Sequence, residues 1–294
     1  MARYPTRRRF LRTGLAAAAG VLAAGDGPRL RPAAAAEPPD KPRTHLGLVT
    51  YMIGAQMDLP TLIKTCEDAG IEGVELRTTH KHGVEPSLDA AGRARVRELF
   101  AKTRVRLVGL GSTCEYHSPK PEEVKRNIAL TRAFVELAAD VGAQGVKVRP
   151  NGLPKEVPEE TTLEQIGAAL AECGPFAQEK GIELWVEVHG DGTSHPPRMA
   201  KIMECCKHPA VGVCWNSNGS DVKDGSVREY FELLKPWLRH AHINDLRGRY
   251  PYRELFGLLK AMPYGRFTMI EMGAQKEPVA FLRDYRALWE TMAL

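Results

Sequence analysis

IELWVEVHG (residues 182–190), VGVCWNSN (211–218), HAHINDL (240–246) and FTMIEMG (267–273) are four short apolar runs, each closing on a polar residue that can ligate a metal: Glu187, Asn216, His242 and Glu271. Those residues are 29, 26 and 29 positions apart. One strand, one helix and two loops consume about that much chain in an α/β repeat. If the runs are neighbouring parallel strands, their four polar side chains converge at the end where such sheets carry chemistry.

Upstream of these runs the same alternation continues. HLGLVTYMI (45–53), IEGVELR (71–77), RVRLVGLGS (104–112) and QGVKVRP (144–150) are β-branched and nearly continuously apolar, as strands buried on both faces are. Helical patterns fill the intervals at about residues 59–69, 88–102, 122–141 and 162–179, and later at 197–206, 227–234, 252–261 and 279–291. Glycines at Gly70, Gly142 and Gly181 stand where helix C-termini are expected. Eight strands alternating with eight helices predict an α/β fold with a single (β/α)8 TIM barrel over residues 44–294. The other doubly wound option lacks a Gly-rich phosphate turn after its first strand.

The N-terminus has a different character. Thr6-Arg7-Arg8-Arg9-Phe10-Leu11-Arg12 precedes a small-residue apolar run from Thr13 to Gly25, and Ala34-Ala35-Ala36 resembles a cleavage site. These are the parts of a Tat export signal over residues 1–36, followed by a Pro-rich linker at 37–43. The expected location is therefore periplasmic or otherwise exported, with no membrane anchor after cleavage, because the apolar run is too short to span a bilayer. Residues 1–36 hold seven Arg and one acid, so without them 34 basic residues face 35 acidic ones. The basic pI of 8.9 belongs to the export signal, and a nucleic-acid partner is not expected. The six cysteines show no CxxC spacing and read as small core residues.

At the carboxyl ends of barrel strands, the expected mouth is strongly polar. It includes Glu75, Arg77, His80 and His82 on the second strand and its loop, and Glu115 and His117 after the third. Lys147 and Arg149 follow on one face of the fourth, then Glu187 and His189, Asn216 and Asn218, His242 and Asn244, and Glu271. A carboxylate inside a barrel is costly unless it meets a cation, such as Lys147 or Arg149, or a metal. Two glutamates and a histidine at matching points of three strands favour the metal or catalytic alternative.

VEVHG, VCWNSN, HAHINDL and IEM together resemble the late-strand motifs of the xylose-isomerase-like TIM-barrel family, which includes sugar (phosphate) isomerases and epimerases. The resemblance implies a divalent metal ion (Mn, Mg, Co or Zn) held by Glu187, Asn216, His242 and Glu271, with Glu187 and Glu271 as the acid/base pair. Family members tend to carry Asp where Asn216 stands and His where Gly219 stands, so the resemblance implies a site short of one negative charge.

The expected function is sugar isomerase/epimerase-like proton abstraction beside a carbonyl, assisted by the metal. By position, Lys147, Arg149, His189, Glu75, His82 and Asn218 are expected to hold the substrate. Export points to an unphosphorylated sugar or glycoside. Alternatives in the same barrel family are a 3-keto-glycoside lyase or hydratase, and a non-catalytic sugar-binding barrel. Barrels of this family often pair as dimers or tetramers, so the resemblance allows a homo-oligomer, whose state the sequence does not fix.

Overall fold

The computed structural model describes residues 43–294; the expected export signal and nearly all of the linker lie outside these residues. The strands are β1 (His45–Val49), β2 (Gly73–Arg77), β3 (Arg106–Glu115), β4 (Gly145–Arg149), β5 (Glu183–Glu187), β6 (Val211–Asn216), β7 (Leu238–Ile243) and β8 (Phe267–Ile270). All pair in parallel in chain order, and β8 pairs with β1 to close the barrel. Between them run α1 (Leu59–Ala69), α2 (Ala90–Ala101), α3 (Pro121–Val141), α4 (Glu159–Glu179), α5 (Pro196–Cys206), α6 (Arg228–Leu234), α7 (Tyr252–Ala261) and α8 (Pro278–Ala293). Among the described residues no helix is long and apolar enough to cross a membrane.

Local chemistry fixes the helix ends. Asp58 and Asp89 cap α1 and α2 by accepting the backbone N–H of Thr61 and Gly92. Gly70 and Gly142 end α1 and α3 in the left-handed region, with φ of 71° and 84°. Strand β3 runs three residues beyond the expected end, to Glu115, with irregular pairing to both neighbours. That extension brings Glu115 level with Arg149 of β4.

A large apolar layer lies between strands and helices, and a small cluster of Val49, Val108, Trp185, Cys214, Phe267 and Met269 lies apart from it. Trp185 decides how the interior is filled. A Cβ at Gly145 would stand 2.4 Å from the Trp185 ring, and one at Gly109 2.5 Å from it. The indole N–H is anchored on Glu183 at 2.8 Å, so the ring has little room to yield. Gly145→Ala is expected to cost about 1–3 kcal/mol through overpacking. Urea unfolding would show this as a lower midpoint with an unchanged m value.

All six cysteines are free and five are buried, consistent with a structural role. Burial pushes the thiols of Cys66 and Cys173 up to about 12, which keeps them protonated and unreactive.

Candidate active site

Strand register assembles the site. β5 and β6 pair Glu187 with Cys214, β6 and β7 pair Asn216 with His242, and β8 ends one residue before Glu271. Ligand atoms of Glu187, His242 and Glu271 all lie within 4.8 Å of one another. His242 Nδ1 stands 3.3 Å from Glu187 Oε1 and 3.7 Å from Glu271 Oε2. Asn216 donates its amide N–H to the same Glu187 oxygen at 3.3 Å. The four strand-end residues singled out in the sequence therefore meet.

The two oxygens of Glu187 have different neighbours. Oε1 faces His242 and Asn216, whereas Oε2 accepts a 2.7 Å hydrogen bond from Lys147 Nζ. Lys147 is 1% exposed, and the pair is buried as a unit. Burial alone would raise the Glu187 carboxyl, but the Lys147 ammonium and then His242 outweigh it and hold it well below the usual carboxylate range. Glu271 pairs with no lysine or arginine among the described residues, and its side chain is 14% exposed.

Behind His242 stands Glu75, fully buried, one carboxylate oxygen accepting from both His240 Nε2 at 2.8 Å and His242 Nε2 at 3.0 Å. Burial opposes its charge, yet His242 and His240 together hold it well below the ordinary value. A proton on His242 Nε2 leaves Nδ1 facing Glu187 and Glu271. Burial works against charge on His242 as well, but Cys214, Glu75 and Glu187 outweigh it and raise the imidazole well above the ordinary histidine value. Burial lowers His240, whose ring stacks on Trp185 with centroids 4.2 Å apart.

Two expectations about substrate contact are corrected here. Glu75 is expected at the mouth, but it lies beneath it, fully buried, with its carboxylate on His240 and His242. His82 is also expected to hold substrate. It instead braces its own loop, with Nε2 on the Arg77 carbonyl at 2.8 Å and Nδ1 accepting from the Val84 N–H. Lys147, Arg149, His189 and Asn218 do line the mouth cavity, of about 520 Å³, together with Tyr51, Arg77, Glu187, Asn216, Asn244 and Glu271. Arg149 meets Glu115 at 3.3 Å, and Asn151 links Glu115 to His189. A larger recess of about 880 Å³ opens beside α4 and α5, but its Arg198 and Lys201 are already paired with Glu159 and Glu160.

His240 was not singled out as a functional residue in the sequence. Its position two residues before His242 puts both rings on one face of β7, and that spacing was the available signal.

Four buried atoms of the site lack a hydrogen-bond partner, Glu75 Oε1, Arg149 Nε, Asn216 Oδ1 and His242 Nδ1, and the last two stand beside the strand-end glutamates. With two carboxylate oxygens beside them, those two form an electron-rich cluster that only a proton or a cation can satisfy. Nδ1 stands 3.3 Å from Glu187 Oε1 and 3.7 Å from Glu271 Oε2 with no hydrogen bond to either. Amide oxygen, imidazole nitrogen and two carboxylates are a donor set that suits a divalent ion such as Mn, Co or Zn. Cys214, His240 and His242 also come within 4.8 Å of one another. There, however, burial pushes the Cys214 thiol up to about 11, and His240 Nε2 is committed to Glu75.

The family model described as the xylose isomerase-like TIM barrel matches residues 63–288. Among solved structures, D-psicose 3-epimerase from Clostridium cellulolyticum H10, crystallised with D-tagatose, superposes with a TM-score of 0.72 at 14% identity, covering 85% of this chain and 99% of that one. The 3-keto-D-glucoside 4-epimerase of E. coli gives a TM-score of 0.72 at 14% identity, over 85% of this chain and 100% of that one. The IolI protein with a bound zinc atom gives 0.68 at 13%, over 85% and 96%. At such identities these likenesses establish the barrel alone. No curated protein matches the chain in sequence.

Proposed function

The chain belongs to the xylose isomerase-like TIM barrel family, and from that premise we propose that it is a metal-assisted sugar isomerase or epimerase that removes a proton beside a sugar carbonyl. The observation that carries this reading is the convergence of Glu187, His242 and Glu271, both glutamates lining a polar mouth cavity and His242 buried beside them. Glu187, Asn216, His242 and Glu271 would hold the divalent ion. When bound, such an ion offsets the negative charge that builds on the carbonyl oxygen as the neighbouring proton leaves.

The rest of the chemistry falls to the chain's own groups. Glu271, with no lysine or arginine partner among the described residues and lining the cavity, takes the proton from carbon. Glu187 lies across from it as the second acid/base group, its ionised form stabilised by Lys147. Arg149, His189 and Asn218 sit on the β4 to β6 side, where they hold substrate hydroxyls. The substrate is an unphosphorylated sugar or glycoside, in keeping with a Tat-exported protein. The psicose epimerase and the 3-keto-glucoside epimerase support this reading as structural relatives whose names specify such substrates.

A second reading rests on the inequality of the two glutamates. One free carboxylate beside one tied to an ammonium suits elimination from a 3-keto-glycoside, which needs one base. Incubating Mn²⁺-loaded protein in D₂O with ketohexoses and 3-keto-glycosides tests both readings. In the first case an epimer carrying deuterium beside the carbonyl is expected; in the second the glycosidic substituent leaves as the electron pair of the broken C–H bond forms a C=C bond, and no deuterium enters there. Neither exchange nor elimination across the panel by metal-loaded protein would count against both.

Metal binding should also depend on pH. In the metal-free protein His242 is raised, which favours its protonated form, and a metal can take Nδ1 only as that proton leaves. One released proton makes the affinity climb by about tenfold per pH unit below the raised value and level off above it. Calorimetric titration with Mn²⁺ between pH 6 and 8, in buffers of different ionisation enthalpy, reads both the slope and the proton. A flat profile would remove His242 from the ligand set.

A further inference from the structure

We infer that Lys147 is a built-in competitor for the metal: its ammonium shares Glu187 with the bound ion and so keeps the ion weakly held and exchangeable. The inference rests on the metal reading above. Its basis is the division of the Glu187 carboxylate, with Oε2 on Lys147 Nζ at 2.7 Å and Oε1 beside His242 Nδ1 at 3.3 Å. A divalent ion taking Oε1 and Nδ1 comes to rest across a single carboxylate from a buried positive charge. The ammonium has little means of moving away, because Lys147 is 1% exposed on a strand paired on both sides. Like charges so close in a poorly screened interior repel strongly.

The charge count points the same way. Glu187 and Glu271 bring two negative charges, Glu75 behind His242 a third, Asn216 none, and Lys147 cancels one. A divalent ion therefore meets no excess of negative charge, and removing the Lys147 charge would leave one.

Calorimetric titration of Mn²⁺ into the wild type, Lys147→Met, Lys147→Gln and Lys147→Arg at pH 8 tests this without any substrate. Lys147→Gln keeps a hydrogen-bond donor for Glu187 and removes only the charge, so it answers the question if the methionine variant fails to fold. The neutral variants are expected to bind Mn²⁺ at least about tenfold more tightly than the wild type, and Lys147→Arg to stay close to it. Neutral variants that bind no more tightly, or more weakly, would overturn the competition and make Lys147 a positioning group for Glu187. Absence of binding by all four proteins would overturn the competition and the metal reading together, an outcome distinct from four equal affinities.

Discussion

Glu271→Gln is expected to abolish proton exchange between a carbonyl sugar and D₂O, lowering it by about 10²–10⁴-fold, the range typical of a lost acid/base group. The reason lies in its surroundings. Glu187 gives one oxygen to Lys147 and turns the other toward His242 and Asn216. Glu271 has no ammonium or guanidinium partner among the described residues, and its carboxylate faces the cavity. Glutamine fills the same space, so folding should survive. It can still offer an amide oxygen to a metal, so Mn²⁺ affinity should fall far less than exchange does. A variant that exchanges at the wild-type rate by NMR would take Glu271 out of the chemistry and turn attention to Glu187.

Glu75→Gln is the second large effect, and it should appear first as a loss of metal. Its carboxylate accepts from both His240 and His242, fixing the proton of His242 on Nε2 and leaving Nδ1 for the site. Removing such a partner of a ligating histidine lowers metal affinity by about 10–100-fold. Metal-free protein should also lose on the order of 3–5 kcal/mol of stability, because a fully buried charge holding two imidazoles is gone. The sign of the pH dependence follows from Glu75 being held well below the ordinary 4.5. Its contribution is present in full above that ordinary value and is lost as pH falls through the depressed folded value. The stability gap between wild type and variant should therefore narrow in acid, as urea unfolding at several pH values would show. Equal stability near neutrality would contradict the role given to Glu75.

The fold was legible because period and spacing both survive in one sequence. Eight buried strands at barrel intervals, with glycine stops such as Gly70 and Gly142, left few other architectures. The strand-end residues were legible for the same reason, since Glu187, Asn216, His242 and Glu271 each close an apolar run. What lies beneath the mouth was not. Glu75 reads like any polar residue near a strand end, and only closure of the barrel, which brings β2 within reach of β7 across the interior, shows that it meets two histidines. His82 likewise sits in a polar loop whose path back to the Arg77 carbonyl no spacing reveals. From sequence alone, a salt bridge and a metal stand as alternatives for the buried glutamates. Glu187 has the salt bridge on one oxygen and the electron-rich cluster on the other, so the two are not exclusive.

Anomalous scattering from a crystal of the protein soaked in Mn²⁺ at pH 8 is the most direct test of the account. A peak within bonding distance of Glu187 Oε1, Asn216 Oδ1, His242 Nδ1 and Glu271 is the expected result, with Lys147 still on Glu187 Oε2. An empty site at millimolar Mn²⁺, with His242 Nδ1 hydrogen-bonded to a carboxylate, would contradict it.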